Sequence, residues 1–316
     1  MLKINKNKAF SLIELSIVIL IIGILVAGVT QSSRLINQMK LTSARSLTLS
    51  SPIPSIKDIY AWYESTMEKS FDEAEASDGL TITNWYDLNP QVSSGKINFV
   101  QGNAGFRPTY QRSSINGLPA IYFNGSKFLN TDINTPSLLG SGSATFFFVF
   151  RPQDISDQRW LITQTYATCV NNIEIGHTAG NATTVKGNFG IHSGCFRSTV
   201  TNPVIMTNNE ALIVSMVVLA SPIVSGSTAN VKIFKNGGNE LAMQADNGGY
   251  NTALGGSYAR ENYSLYIGTR YDWRSNLNNY YAGTIGEVII YSRSLNTEER
   301  QSVEKYLGKK WGIVVQ

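Results

Sequence analysis

Glu14 is the only charged residue in the run from 10 to 29, FSLIELSIVILIIGILVAGV. A carboxylate in such a run costs about 2.5–3.5 kcal/mol at mid-bilayer on insertion scales, and less near the interface, so it signals a function that needs it. A cut between Ala9 and Phe10 would create an α-amino group four residues before Glu14, on the same helical face. That cation can neutralise the acid, within one chain or between neighbouring chains whose helices pack.

The flanks of the run set its orientation. Lys3, Lys6 and Lys8 precede it without an acid, which keeps residues 1–9 in the cytoplasm and sends everything after Val29 across. About 20 apolar residues at about 1.5 Å each match the hydrocarbon core of a bilayer. From the residues alone three fates stay open: a signal peptide cut near Val26-Ala27-Gly28, an uncut anchor, or a helix trimmed on its cytoplasmic side and kept.

Cys169, His177, His192 and Cys195 have the ligand types of a two-cysteine, two-histidine metal site, but their spacing matches no common finger. Beyond a membrane thiols meet oxidising conditions. A Cys169–Cys195 disulfide is therefore expected, adding about 3.5 kcal/mol by the chain-entropy model, with both histidines as ordinary polar positions in loops or at strand edges. No metal or cofactor is assigned.

The stretch 246–282 is rich in Gly, Asn and rings. Tyr271, Asp272, Trp273, Arg274 and Asn278 combine flat aromatic faces with hydrogen-bonding groups, the pair of features that recognises a pyranose. The competing reading is that these rings cap the ends of a β core. Asp272 with Asn276 and Asn278 offers oxygen ligands to calcium, at a spacing unlike an EF-hand loop.

Catalysis finds little support. Hydrolases on β-sandwiches place two carboxylates on one face of a strand, whereas Glu174 and Glu287 each stand alone in an apolar strand. Glu287 reads as a structural acid bonded to backbone or a nearby arginine. There is no nucleophile elbow and no phosphate-binding loop, so the chain is not expected to be an enzyme.

These groups must be positioned by a long helix and many strands. The helix continues from the apolar run through Leu35, Ile36, Met39 and Leu47, a partly apolar stripe, until Pro52 and Pro54 stop it. From 55 onward short apolar runs alternate with Gly, Asn, Pro and Ser clusters. Strands are predicted at 120–123, 144–150, 160–164, 172–175, 188–192, 211–219, 230–234, 265–268 and 283–291, with a hairpin around Asn236-Gly237. The runs TFFFVF and ALIVSMVVL suggest strands covered on both faces. A terminal helix begins at Asn296, with Glu299 completing a capping box and Leu295 placed for a hydrophobic staple. Val303, Tyr306, Leu307 and Trp311 fall near one face, Lys309 and Lys310 suit the C-terminal dipole, and Gly312 closes it. The predicted fold is a long N-terminal α-helix followed by an all-β jelly-roll sandwich with a short C-terminal helix.

Composition agrees with export. The chain has 316 residues, 26 Lys plus Arg against 22 Asp plus Glu, and only 15% charged residues, where about 25% is usual. A formal charge of +4, partly at the extreme N-terminus, gives no basic face for nucleic acid.

Lys8-Ala9-Phe10-Ser11-Leu12-Ile13-Glu14, followed by the apolar run with Gly23, resembles the prepilin N-terminus of type IV pilins and related pseudopilins. The resemblance implies removal of residues 1–9 by a prepilin peptidase, N-methylation of Phe10, and retention of 10–51 as a transmembrane helix later drawn into a filament, with Glu14 guiding assembly with other subunits. Ala9 stands where the family usually has Gly, and Gln31 where many members have Pro.

The segments IYAWYES, DGLTITNWYDLN, NGLPAIYFNGSKFL and YYAGTIGEVIIYSRSLNTEERQSVEKYLGKKWGI resemble bacterial concanavalin A-like jelly rolls of the laminin-G-like class. That resemblance implies two stacked antiparallel sheets over 55–316 and carbohydrate or cell-surface binding, sometimes with calcium. Together the two resemblances point to a minor or tip pilin, held in the inner membrane as precursor and then displayed on a surface filament. A secretion pseudopilin without adhesion and an anchored glycan-processing enzyme are the alternatives.

Overall fold

The computed structural model describes residues 12–131, 133–139, 142–164, 173–177, 186–193, 198–219, 230–246, 263–271 and 276–316. Its first element is α1 (Leu12–Leu49), 38 residues and so about 57 Å long. The helix ends just before Pro52, whose ring and missing N–H disfavour continuation.

Only the last turns of α1 dock. Ala44 and Thr48 are buried and Leu47 packs on the sandwich. Leu35, Ile36 and Met39 stay exposed, so the expected stripe does not pack along its length: the sandwich reaches only the C-terminal end of the helix. The apolar side chains from Leu12 to Val26 are likewise exposed.

The strands follow in the order β1 (Ile59–Glu64), β2 (Asn84–Trp85), β3 (Phe99–Val100), β4 (Thr109–Ile115), β5 (Leu118–Asn124) and β6 (Leu129–Thr131). Next come β7 (Ala144–Pro152), β8 (Arg159–Gln164), β9 (Ile173–His177), β10 (Phe189–Ser193), β11 (Ser198–Thr201) and β12 (Leu212–Val218). The last are β13 (Val231–Lys235), β14 (Met243–Asp246), β15 (Leu265–Ile267), β16 (Arg270–Tyr271), β17 (Leu277–Asn278) and β18 (Ala282–Tyr291), before α2 (Thr297–Trp311).

Among the described residues one sheet has the order β13-β12-β7-β18-β5-β4 with β1 also on β18, and the second runs β14-β11-β10-β9-β8-β15-β6-β3-β2. Among the described residues every pair of neighbouring strands named above is antiparallel, and the two sheets stack as a jelly-roll sandwich. β16 and β17 form a separate two-stranded ribbon.

The continuous apolar runs are covered on both faces because two cores meet there. Phe146, Phe148 and Phe150 of β7 point into the core between the sheets. Phe147 and Val149 point the other way, into a second core with Trp62, Val303, Leu307 and Trp311 beneath the helices. Residues Ile285 and Glu287 of β18 bracket a register shift. Before it β18 pairs with β5, and after it with β1.

The hairpin expected around Asn236-Gly237 is only partly formed. Both residues have positive φ, 49° and 67°, as a tight two-residue turn requires, but the returning arm makes a single bridge, Phe234 to Glu240. An unforeseen turn of the same kind joins β4 to β5 at Asn116-Gly117, φ 51° and 87°. The Asn116 amide donates to the Trp311 carbonyl, 2.9 Å away, fixing this turn to the end of α2. The predicted capping box is present: the Asn296 side chain accepts from the Glu299 N–H, the Glu299 carboxylate accepts from the Asn296 N–H, and Gly312 is left-handed.

Candidate functional site

Glu14 lies in the first turn of α1, among exposed apolar neighbours that include Ile13 and Ile17. Ala9 and Phe10, between which the cut is expected, fall outside the described residues. Among the described residues no helix is long and apolar enough to cross a membrane, and residues 10 and 11 of the span expected over 10–29 fall outside them.

On the outer face of the larger sheet, alternation sets the chemistry. Leu265 and Ile267 of β15 enter the core, which turns Tyr266 outward. Its ring lies 5.6 Å from that of Tyr271, with the planes 4° apart. Phe128 continues the row, 6.3 Å from both Tyr266 and Tyr280 and 5.4 Å from Phe106. Tyr266, Tyr271 and Tyr280 are half-buried, so part of each ring faces solvent. Burial raises Tyr266 and Tyr280 above the ordinary phenol value, which keeps their hydroxyls protonated at neutral pH.

Tyr271 and Asn278 from the sequence-predicted set sit on the β16–β17 ribbon, next to this row. Asp272, Trp273 and Arg274 lie outside the described residues, as do Cys169 and Cys195. Phe106, Phe128 and Tyr266 were missed. The period-two pattern of SLYIG could have flagged Tyr266, but nothing local announces that Phe106 and Phe128 share its face.

Next to the aromatic row, Glu174 is buried and is not alone. Its carboxylate lies 2.6 Å from the Arg270 Nε and 3.9 Å from the His192 Nδ1. His192 stands edge-on to Trp160, 4.5 Å between centroids. Burial first, and then the Arg270 charge, lower His192 to about 3, so the ring is neutral. Neither histidine is a loop or edge position as expected: His177 and His192 belong to β9 and β10, inside the sheet. Among the described residues no cluster of His, Cys, Asp or Glu could hold a metal ion.

Glu287 also departs from expectation. Its partners are neither backbone nor arginine: Trp62 Nε1 and the Tyr306 hydroxyl donate to Oε1, both at 2.9 Å. Trp311 Nε1 at 2.8 Å and Lys310 Nζ at 2.9 Å donate to Oε2. Lys310 does not serve the helix dipole in solvent; its side chain has 0% exposure and also reaches Glu64 Oε2 at 2.5 Å. Glu64 accepts from the Thr66 N–H and hydroxyl at 3.0 and 2.6 Å, the Ser70 hydroxyl at 3.4 Å, and the Met67 N–H.

Burial alone would lower the Lys310 ammonium, and the Glu287 and Glu64 charges more than offset it, holding it above its usual value. Tyr306 is pushed well up, by burial first and then by the same acids, and remains a donor. Its oxygen also lies 3.3 Å from the Thr48 hydroxyl, which connects the group to α1. The sequence signal was the spacing Val303, Leu307, Lys310, which puts the lysine on the apolar stripe of α2.

With this geometry in hand, residues 4–30 match the family model described as the prokaryotic N-terminal methylation motif. The chain thus carries a prepilin-type N-terminal motif ahead of a jelly-roll sandwich. No curated protein matches it. Among solved structures, it is similar to domain 4 of a GH43 extracellular arabinanase from Geobacillus stearothermophilus in complex with arabinotriose, at 13% identity and TM-score 0.42, covering 78% of this chain and 98% of that one. It is also similar to the Ruminococcus gnavus IT-sialidase CBM40 bound to α2,3-sialyllactose, at 12% identity and TM-score 0.37, covering 52% and 83%. Trypanosoma rangeli sialidase in complex with sialic acid gives 12% and TM-score 0.47, covering 83% of this chain and 34% of that one.

Proposed function

We propose that this chain is a pilin-like filament subunit whose jelly roll, displayed outside the cell, adheres to glycans. The observation that carries the filament reading is the match of residues 4–30 to the methylation motif, on a helix whose apolar side chains from Leu12 to Val26 stay exposed. A helix with that much uncovered apolar surface is stable in lipid or in a bundle of its own kind.

In this reading a prepilin peptidase removes residues 1–9 and Phe10 is methylated. The precursor is held in the inner membrane by 10–29 with the sandwich in the periplasm. In the filament, Glu14 meets the Phe10 amine of a neighbouring subunit, because either charge left unpaired in an apolar bundle is costly. A Cys169–Cys195 disulfide forms after export; the described strands nearest the two cysteines are paired, with Ile173 opposite Ser193.

Adhesion is assigned to the rings of Phe106, Tyr266, Tyr271 and Tyr280, which reach solvent beside the buried Phe128 and can stack on the C–H face of a sugar. Asn278 on the ribbon supplies an amide beside them. The bulk of a sandwich on one end of the helix favours a minor or tip subunit over the main filament body. The carboxylates Glu64 and Glu287 are taken up by internal donors, which favours binding over turnover.

N-terminal sequencing and intact mass of the protein recovered from cells test the first part: a start at N-methylated Phe10 is expected, and a start at Met1 or near Val29 overturns it. Glycan-array binding by the full chain in detergent, weakened by Tyr266→Ala, tests the second; an array without binding overturns the adhesive role.

A further inference from the structure

We propose that Lys310 and Glu64 join as an intramolecular amide, with Glu287 as the proton-transfer group. The three side chains meet without solvent: Lys310 Nζ is 2.5 Å from Glu64 Oε2 and 2.9 Å from Glu287 Oε2, and all three have 0% side-chain exposure. Trp62, Tyr306 and Trp311 surround them.

The acceptor is chosen by its donors. Glu64 Oε1 receives the Met67 N–H and the Ser70 hydroxyl, which are placed to hold the negative oxygen of a tetrahedral carbon. Oε2, facing the lysine, receives the Thr66 N–H and hydroxyl. Glu287 has no backbone N–H among its donors; it faces two indoles, a phenol and the ammonium, and is placed to exchange protons with Lys310.

The step balances without a co-reactant. One proton passes from the Lys310 ammonium to Glu64 Oε2, leaving a neutral amine facing a carboxylic acid. The amine attacks Glu64 Cδ, a C–N bond forms, and the second proton passes from the new nitrogen to Glu287. Glu287 gives that proton to the Glu64 hydroxyl, the C–O bond breaks, and water departs. One ammonium and one carboxylate become a neutral amide, and Glu287 returns to its starting charge.

Two features favour the product. The partners are held in contact by the fold, so the reaction is intramolecular, and it need happen only once per molecule, so a scarce neutral amine suffices. A buried ion pair is costly to keep out of water, whereas an amide is not charged, and the dry surroundings oppose hydrolysis. The bond would tie β1, the first strand after α1, to α2 near the C-terminus, closing the sandwich at the point where tension from α1 would enter it.

Intact mass and a tryptic map of the full chain decide the matter, independently of filament assembly or glycan binding. The expected result is a mass one water below that of the processed sequence, and residues 58–69 covalently joined to 310–316. Glu287→Gln should restore the lost water and release the linear peptides. An unmodified wild-type mass with linear 58–69 overturns the proposal even if the variant does not fold. A link from Lys310 to Glu287 overturns the assignment of acceptor and proton carrier.

Discussion

Tyr266 and Tyr271 stack with their planes 4° apart and centroids 5.6 Å apart, although one belongs to the larger sheet and the other to the ribbon that follows it. The stack seats the β16–β17 ribbon against the sheet, with the buried Phe128 6.3 Å from Tyr266 on the other side. Tyr271→Ala should therefore weaken binding of an array-positive glycan about tenfold, or about 1.4 kcal/mol. Titration calorimetry on wild type and variant checks this, with a thermal melt to show that the fold survives.

Removing Lys310, the partner of both buried acids, should be severe. Whether Lys310 is joined to Glu64 or paired with it, Lys310→Met leaves Glu64 and Glu287 as buried carboxylates without a positive partner, and stranding buried charge in this way costs about 3–5 kcal/mol. Urea denaturation of the full chain measures it; an unchanged midpoint would show that the sandwich does not depend on this contact.

Gly286 sits at the register shift of β18, and a Cβ there would lie 2.5 Å from the Trp311 ring. Gly286→Ala should push Trp311 away from Glu287 and cost about 1–3 kcal/mol, as overpacking does. A blue shift or quench of tryptophan fluorescence together with a lowered denaturation midpoint is expected, and wild-type values for both would count against the close packing.

Asp154 predicts an acid limb of stability. The Ser156 hydrogen bond, followed by its backbone N–H and the Arg159 charge, lowers this carboxyl from 3.8 to about 2. A depressed folded value stabilises the native state above the unfolded value and loses that contribution as pH falls toward the folded one. The gap between wild type and Asp154→Asn in denaturation midpoint should accordingly be constant above about pH 5 and shrink from about pH 4 to about pH 2. A gap that does not change over that range would refute the assignment.

Glu14→Gln should leave cleavage after Ala9 intact while lowering the yield of sheared filaments about tenfold, since even about 1.4 kcal/mol per subunit contact is a factor of ten. Immunoblots of sheared and cell-bound fractions separate the two effects. Filaments of wild-type abundance would remove Glu14 from assembly.

Local order was legible where local forces decide it. The capping box at Asn296 and Glu299, the left-handed Gly312, the stop at Pro52 and the covered runs of β7 and β12 all depend on residues close in sequence. The short strands β2, β3, β16 and β17 carry too few residues for a periodicity to show, and their existence depends on neighbours supplied by the sheets. The histidines were misplaced for the same reason: whether a polar residue in an alternating run is edge or interior is set by strand order, which His177 and His192 do not encode locally.

By itself the sequence determined that an acid sits in an apolar helix behind a lysine-bearing segment, and that a β-rich domain closed by a capped helix follows, because hydrophobic period, charge and capping act over a few residues. The tertiary structure alone decided that Lys310 leaves solvent to lie between Glu64 and Glu287, and that Phe106, Phe128, Tyr266 and Tyr271 form one row. Those partners are distant in the chain and meet only when the order and register of the two sheets bring them together.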